Sequence, residues 1–200
     1  MADLDLVLGA KKVKGAAGSE LGDFLASEMH ARYYSLCRQG RLFIAHAIVA
    51  APVIYSTAAG TGGPLIWNNS PLNVVLLAVG FGVTVVTTVA AALGITGGVG
   101  QTAAPTTATA IDSNRNLFIG GPLPLSTAYR IGTVANAGNF LLPFGDLDTG
   151  ALTTSFGGMN WIDLGGCVIC PPQAWVSVAA SATATTTAVT IGLVYAEVPV

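Results

Sequence analysis

The hydrophobic pattern is densest in residues 73–98, which contain no charged side chain. A helix needs about 20 apolar residues to cross a bilayer, so length alone allows a membrane span here. However, the segment is rich in Val, Thr and Gly, which favour strands over helices, and Gly80 and Gly82 interrupt its middle. No Lys or Arg lies between Arg41 and Arg115 to anchor either end at a membrane face. We therefore expect two successive strands, at residues 74–83 and 85–95, with a membrane helix and a buried helix as the alternatives.

Strict alternation along the first of these strands places two apolar sets on opposite faces. One set is Val75, Leu77, Val79, Phe81 and Val83, and the other is Val74, Leu76, Ala78, Gly80 and Gly82. The second set is small, which is typical of a face that another surface approaches closely. We expect Ala78, Gly80 and Gly82 to pack against another sheet or another subunit.

The rest of residues 42–200 alternates short β-rich runs with turns rich in Gly, Pro, Asn and Asp. Further strands are predicted at residues 42–50, 53–56, 65–68, 108–112, 128–134, 160–169, 174–182 and 189–197. Predicted turns lie at residues 60–64, 68–71, 97–105, 114–124, 143–150 and 171–172. About ten short strands at this spacing indicate one mainly β domain, an antiparallel β-sandwich or jelly roll.

The amino-terminal part, residues 1–41, differs from the rest in its pattern of apolar and charged residues. Residues 1–18 look like an arm, and a helix is predicted from Ser19, which can cap it, to the region of Gly40. Its apolar stripe, at steps of four, four, four and three residues, consists of Leu21, Leu25, Met29, Tyr33 and Leu36. Arg38 and Arg41 follow near its end, where cations interact favourably with the helix dipole.

Composition points to a chain that is covered by other subunits. Hydrophobic residues make up 52% and charged residues 9% of the sequence, whereas about 25% charged is ordinary for soluble domains. Of the ten acidic and eight basic residues, 11 lie in residues 1–41. A body with so few charges is poorly protected against association, so we expect a homo-oligomer. The net charge of −2 gives no basic footprint for nucleic acid.

No pattern of reactive side chains predicts catalysis, a cofactor or a metal. Cys167 and Cys170 form C-V-I-C, but residues three apart on a strand point to opposite faces, so their thiols should diverge. Asp146 and Asp148 are too few for a calcium loop, and no G-x-S-x-G is present. The other candidates, His30, His46, Trp67, Trp161 and Trp175, are more typical of ordinary core or contact positions. The start of the chain lacks the charge order of a secretory signal, so we expect cytoplasmic synthesis and free thiols.

Several short motifs resemble a group of tailed-phage proteins associated with the virion. They are residues 30–34 (HARYY), 38–43 (RQGRLF), 65–69 (LIWNN), 73–77 (NVVLL) and 194–200 (VYAEVPV). The resemblance spans most of residues 30–200 and implies a virion structural component, a decoration or cement protein with a jelly-roll body. It implies no catalytic residues.

The sequence therefore predicts a trimeric protein that binds the outside of a phage head shell, made in the host cytoplasm, with the major capsid protein and its own copies as partners. Its contacts are expected at Leu21, Leu25, Met29, Tyr33, Arg38, Arg41, Ala78, Gly80 and Gly82. The alternatives are a trimeric tail or fibre module that touches a host glycan through residues 97–105 and 114–124, and a jelly-roll capsid protein. An enzyme is the weakest hypothesis.

Overall fold

The computed structural model describes residues 6–8, 11–13, 33–50, 61–85, 91–147, 160–181 and 188–200. Thirteen strands and one short helix make up the regular structure of these residues. They are β1 (Leu6–Leu8), β2 (Lys11–Val13), α1 (Tyr34–Arg38), β3 (Leu42–Ala50), β4 (Thr61–Trp67), β5 (Asn73–Val85), β6 (Ala91–Val99), β7 (Thr106–Ala110), β8 (Ser113–Asn116), β9 (Thr127–Thr133), β10 (Asn139–Leu147), β11 (Asn160–Cys170), β12 (Ala174–Ala180) and β13 (Ala188–Val198).

Two antiparallel sheets pack face to face, which confirms the predicted β-sandwich. The five-stranded sheet has the order β11-β5-β13-β3-β8, and the six-stranded sheet has the order β10-β6-β12-β4-β9-β7. Eight of these strands, which we call the framework, pair in a nested way: β3 with β13, β4 with β12, β5 with β11 and β6 with β10. This nested pairing in two sheets is the winding of a jelly roll.

Residues 100–138, which we call the insertion, lie between framework strands β6 and β10. Their strand β8 extends the five-stranded sheet beside β3, whereas β9 and β7 extend the six-stranded sheet beside β4. The chain therefore crosses twice between the sheets at one edge of the sandwich, and the link from β8 to β9 forms the second crossing.

The core lies between the two sheets, where alternate residues of each strand meet. Strand β3 contributes Phe43, Ala45 and Ala47, and β13 contributes Ile191, Leu193 and Tyr195, all of them buried. The rings of Phe43 and Tyr195 lie 5.5 Å apart in this core. A second apolar cluster lies on the outer face of the five-stranded sheet, under α1.

The apolar stretch at residues 73–98 forms two strands, as predicted, but they do not pair with each other. Strand β5 belongs to the five-stranded sheet and β6 to the six-stranded sheet, so the chain changes sheets between them. Among the described residues, α1 is far too short to cross a membrane, and no longer apolar helix occurs.

A β-bulge at Leu77 overturns the predicted face assignment of β5. On β13, Tyr195 pairs with Leu76 and the adjacent Val194 pairs with Ala78, so Leu77 is an extra residue. Leu76 and Val79 consequently both face the core, whereas Leu77 and Ala78 both face outward. Strict alternation was wrong because one inserted residue reverses the phase of everything after it.

The amino-terminal prediction is tested only near its end. Helix α1 and the apolar packing of Tyr33 and Leu36 agree with the predicted stripe, but Leu21, Leu25 and Met29 lie outside the described residues, as does the strand expected at residues 53–56. The hairpin of β1 and β2 falls where an arm was expected.

Strands β4 and β6 extend into the turns predicted at residues 60–64 and 97–105, and the edge strands β8 and β10 occupy segments that the sequence indicated as turns. Strand β8, with the polar sequence SNRN, falls in the predicted turn at residues 114–124. Strand β10 includes Pro143 and Gly145 of the turn predicted at residues 143–150. Both strands lie at sheet edges, where polar residues and proline are tolerated because one side of the strand needs no partner.

Candidate interaction surface

The link between β8 and β9 exposes an unusual amount of apolar side chain. We call residues 117–125 the apolar loop. Its exposed members are Leu117, Phe118, Ile119, Leu123 and Leu125, and Ile119 is 98% exposed. Contiguous exposed apolar residues on a folded domain usually mark a contact with another molecule.

The beginning of the apolar loop is held by Asn116. Its Nδ2 donates to the carbonyl oxygens of Gly40, at 2.7 Å, and Pro122, at 3.1 Å, and its Oδ1 accepts from the Phe118 amide at 2.8 Å. The Leu117 amide also donates to the Leu42 carbonyl at 2.9 Å. The Asn116 side chain thus ties Phe118 and Pro122 of the apolar loop to Gly40, in the turn that follows α1.

The end of the apolar loop is held by a buried carboxylate. Glu197 on β13 is only 3% exposed, although it carries a charge. Its Oε2 accepts from the Leu125 amide at 3.0 Å, and its Oε1 accepts from the amide and the hydroxyl of Ser126, both at 2.8 Å. Hydrogen bonds to both oxygens offset the cost of burying the charge.

The same polar cluster continues to Tyr195 and Asn114. The Tyr195 hydroxyl donates to Asn114 Oδ1 at 2.8 Å and lies 3.3 Å from Ser126 Oγ. Burial raises the pKa of Tyr195 well above its ordinary value; the hydrogen bond with Ser126 partly opposes this rise, the nearby Glu197 carboxylate adds to it, and the hydrogen bond with Asn114 opposes it least. The phenol is therefore neutral, and the cluster locks the insertion onto framework strand β13.

Helix α1 brings cationic side chains beside the apolar loop. Arg38 is exposed at the end of the helix, Arg41 is half-buried, and Arg115 is exposed on β8, where it pairs with Ile44 of β3. The chain turns at Gly40, where φ is +69° and an added Cβ would lie 3.0 Å from Pro122 Cδ. We call Arg38, Arg41 and Arg115 the arginine cluster. Arg41 adjoins Gly40 and Arg115 adjoins Asn116, so the bond between Gly40 and Asn116 brings these two positions to the beginning of the apolar loop.

The three predicted contact residues on β5 have separate surroundings. Ala78 is fully buried in the cluster that also receives Tyr33, Leu36 and Cys37, so the chain itself covers this position. Gly80 is also buried and Gly82 is half-buried, and they pair with Gly192 and Thr190 of β13. Contacts of Gly80 and Gly82 with another subunit stay a prediction.

The two cysteines of the C-V-I-C segment diverge, as predicted. Cys167 is exposed and Cys170 is buried, and neither is in a disulfide. Burial raises the pKa of the Cys170 thiol to about 12. Within the described parts of the chain, no three His, Cys, Asp or Glu side chains come together in a way that could hold a metal ion.

A cavity of about 200 Å³ lies at the end of the sandwich, at the edge opposite the insertion. It is bordered by Gly97 and Leu141 of the six-stranded sheet and by Val168 and Cys170 of β11. Trp175 also borders it, and its Nε1 is buried without a hydrogen-bond partner among the described residues. Trp67 lies next to Trp175 and donates to Gln101 O at 2.8 Å, whereas Trp161 lies on the other sheet, so the three do not form one aromatic platform.

No family model, curated protein or solved structure matches the chain. The function must therefore be inferred from the surface of the protein. Sequence reasoning recognised residues 114–124 as a turn and, in the tail-module alternative, as a loop that touches a glycan, but not as an apolar contact. The signal for the apolar loop was the density of Leu, Phe and Ile in residues 117–125, LFIGGPLPL, which is unusual for a solvated turn.

Proposed function

We propose that this protein is a phage virion structural protein, a homotrimeric decoration or cement protein that binds the outside of the head shell and stabilises it. The observation that carries the proposal is the apolar loop, which exposes apolar side chains while hydrogen bonds to Asn116 and to the buried Glu197 hold its backbone. A loop fixed in this way loses little conformational entropy when a partner covers it, so its apolar area contributes more fully to binding.

The charge distribution supports a partner made of protein. Residues 42–200 contain only seven charged side chains, and the chain as a whole is 52% hydrophobic. Such a surface binds through apolar area and is suited to permanent contacts between subunits. The jelly-roll winding occurs in viral capsid domains, and also in lectins and cupins, so the fold fits the proposal without carrying it.

A tail-associated receptor-binding module is a second candidate, favoured by Trp161. This side chain is 55% exposed on the outer face of the five-stranded sheet, where an aromatic ring can stack on a sugar. The number of copies per virion separates the two candidates, because a shell protein is present in hundreds of copies and a tail module in a few tens or fewer.

The proposal is tested with shells that lack the protein. Wild-type protein should sediment as a trimer and co-sediment with such shells, whereas Ile119→Asp should lose binding or assembly because it places a charge in the apolar contact. Val99→Asp is the matched control, since Val99 is 69% exposed but lies on β6, which two strands separate from β9 and β7 of the insertion. A wild-type chain that stays monomeric and does not bind shells would overturn the proposal.

A further inference from the structure

We propose that residues 19–32 of one copy bind the apolar loop and the arginine cluster of a second copy. The inference rests on the proposed homo-oligomer and adds the surface through which the copies contact each other. The segment proposed to bind this surface is residues 19–32. Three observations point to it: its charge, the place where it joins the described chain, and its apolar stripe.

Residues 19–32 and the surface proposed to bind them carry opposite charges. Residues 19–32 contain three acidic side chains, Glu20, Asp23 and Glu28, and one basic side chain, Arg32. The arginine cluster supplies three positive charges near the beginning of the apolar loop, and the Glu197 carboxylate near its end already accepts three hydrogen bonds, from Leu125 and Ser126. Opposite charges around an apolar contact determine which surfaces pair and in which orientation.

The place where the segment joins the described chain points to a second copy. The Tyr33 hydroxyl donates to Asp163 Oδ1 on β11 at 2.8 Å, whereas Gly40 O is bonded to Asn116 on β8. The chain from Tyr33 to Gly40 therefore runs across the five-stranded sheet from its β11 side to its β8 edge. Residues 19–32 join the described chain at Tyr33, and four strand spacings, about 19 Å, separate the β11 edge from the β8 edge that carries the chain's own apolar loop.

The predicted apolar stripe of the segment also needs a partner surface. Tyr33 and Leu36 already pack on the outer face of the sheet, and the sequence places Leu21, Leu25 and Met29 on the same face of the predicted helix. A helix of these 14 residues would be about 21 Å long. Continued in line with α1, it would pass the β11 edge and need apolar cover, which Leu117, Phe118 and Ile119 of a neighbouring copy supply.

The resulting contact is head-to-tail, since the β11 side of one copy meets the β8 edge of the next. Contacts of this type close into a ring when the rotation between copies allows it. In a three-membered ring, residues 19–32 of each copy would bind the apolar loop of the next copy, and every apolar loop would be covered. Such a ring agrees with the proposed trimer.

Cross-linking between two different variants tests the contact directly. In a Cys167→Ser background, which removes the exposed thiol, one chain carries Met29→Cys and the other carries Ile119→Cys. After the two are mixed, reassembled and oxidised, we expect a disulfide-linked pair that contains one chain of each kind. The control replaces Ile119→Cys by Val99→Cys, which should give no such pair.

Charge reversal provides the second test. Arg38→Glu with Arg115→Glu should raise the concentration needed for half-assembly about tenfold or more, because each contact in the ring is affected. Adding Glu20→Lys and Asp23→Lys to the same chain should restore assembly. Lysines at the exposed positions Thr102, Thr106, Ala108 and Thr109 restore the same net charge elsewhere and should not.

The outcomes are distinguishable. A wild-type chain that stays monomeric overturns the proposed function together with this contact. A trimer that gives no cross-link between chains, or that gives one only when both cysteines are in the same chain, overturns the contact alone. Equal rescue by the two sets of lysines would also overturn it, because net charge would then explain the effect.

Discussion

The framework and the insertion use similar residues in opposite ways. Framework strand β12 has the sequence AWVSVAA and buries all seven residues, whereas β7 of the insertion has the sequence TTATA and exposes all five. Small residues allow β12 to lie between β6 and β4 at the centre of its sheet. The same kind of residue on β7, at the outer edge, contacts solvent on both faces.

The difference extends to what holds each region. The framework is held by apolar burial between the sheets, whereas the apolar loop of the insertion exposes its hydrophobic side chains and is held by Asn116 and Glu197. We conclude that the framework supplies stability and the insertion presents the contact surface. The following predictions test that division, starting with the largest effect.

Leu193→Ala and Ile119→Ala should have very different effects on the free energy of unfolding. Leu193 is fully buried on β13, so its truncation should cost about 2–5 kcal/mol. Ile119 is exposed, and its truncation should change the stability of the monomer by less than about 0.5 kcal/mol. Urea denaturation of both variants measures this, and equal losses would contradict the division.

Ala78→Lys should destabilise the fold itself, by about 2–4 kcal/mol, because it forces a long charged side chain beneath α1, where Ala78 is fully buried in an apolar cluster. Ile48→Lys is the matched control, since Ile48 is 55% exposed on β3. Thermal unfolding followed by circular dichroism compares the two. If Ala78→Lys unfolds like the wild type and only assembly suffers, then α1 does not cover this face in solution.

Glu197→Ala should cost about 1–3 kcal/mol, because it leaves the amides of Leu125 and Ser126 without acceptors in a buried place. The insertion should loosen before the framework does, so limited proteolysis should cut within residues 117–125. Asn116→Ala, which releases the other end, is expected to expose the same segment. Cleavage within β12 or β13 instead would show that the insertion is not a separate unit.

The two thiols of β11 should respond differently to alkylation and to pH. Iodoacetamide at pH 8 should modify the exposed Cys167 rapidly and the buried Cys170 only on unfolding, as mass spectrometry of the peptides can show. Since the pKa of Cys170 is raised from 9.0 to about 12, the native state keeps the proton that the unfolded state loses. The associated stability is fully present below pH 9 and is lost as the pH rises toward 12.

Replacing Cys170 by Ala should therefore reduce the fall in stability between pH 9 and 12, whereas Cys167→Ser should leave that fall unchanged. Urea denaturation at several pH values measures the slope. The same slope in both variants would mean that other groups, such as Tyr195, account for the alkaline loss.

Local sequence patterns predicted much of the framework because its strands alternate around a buried interior. Strand β3 was predicted with its exact bounds, and the strands near residues 128–134, 160–169 and 189–197 agree within two residues. Strands β8 and β10 were missed because their polar residues, proline and glycine are acceptable only at a sheet edge, and an edge is defined by the neighbouring strands.

The candidate surface was only partly predictable. Arg38 and Arg41 were identified from the helix end, but nothing in the local pattern connected them with residues 117–125, which are more than 70 positions away in the chain. Glu197 also gave no local signal, since its role depends on the Leu125 and Ser126 amides brought to it by the crossing between sheets.

The sequence by itself determined the mainly β character, the divergence of Cys167 and Cys170, and the charge-poor body, because each follows from residue types and from the two-residue period of a strand. The tertiary structure decided which strands pair, where the bulge at Leu77 reverses the faces of β5, and that α1 covers Ala78. It also decided that an apparent turn presents an anchored apolar loop. These properties depend on contacts between residues far apart in the chain, and such contacts leave no periodic pattern in either partner.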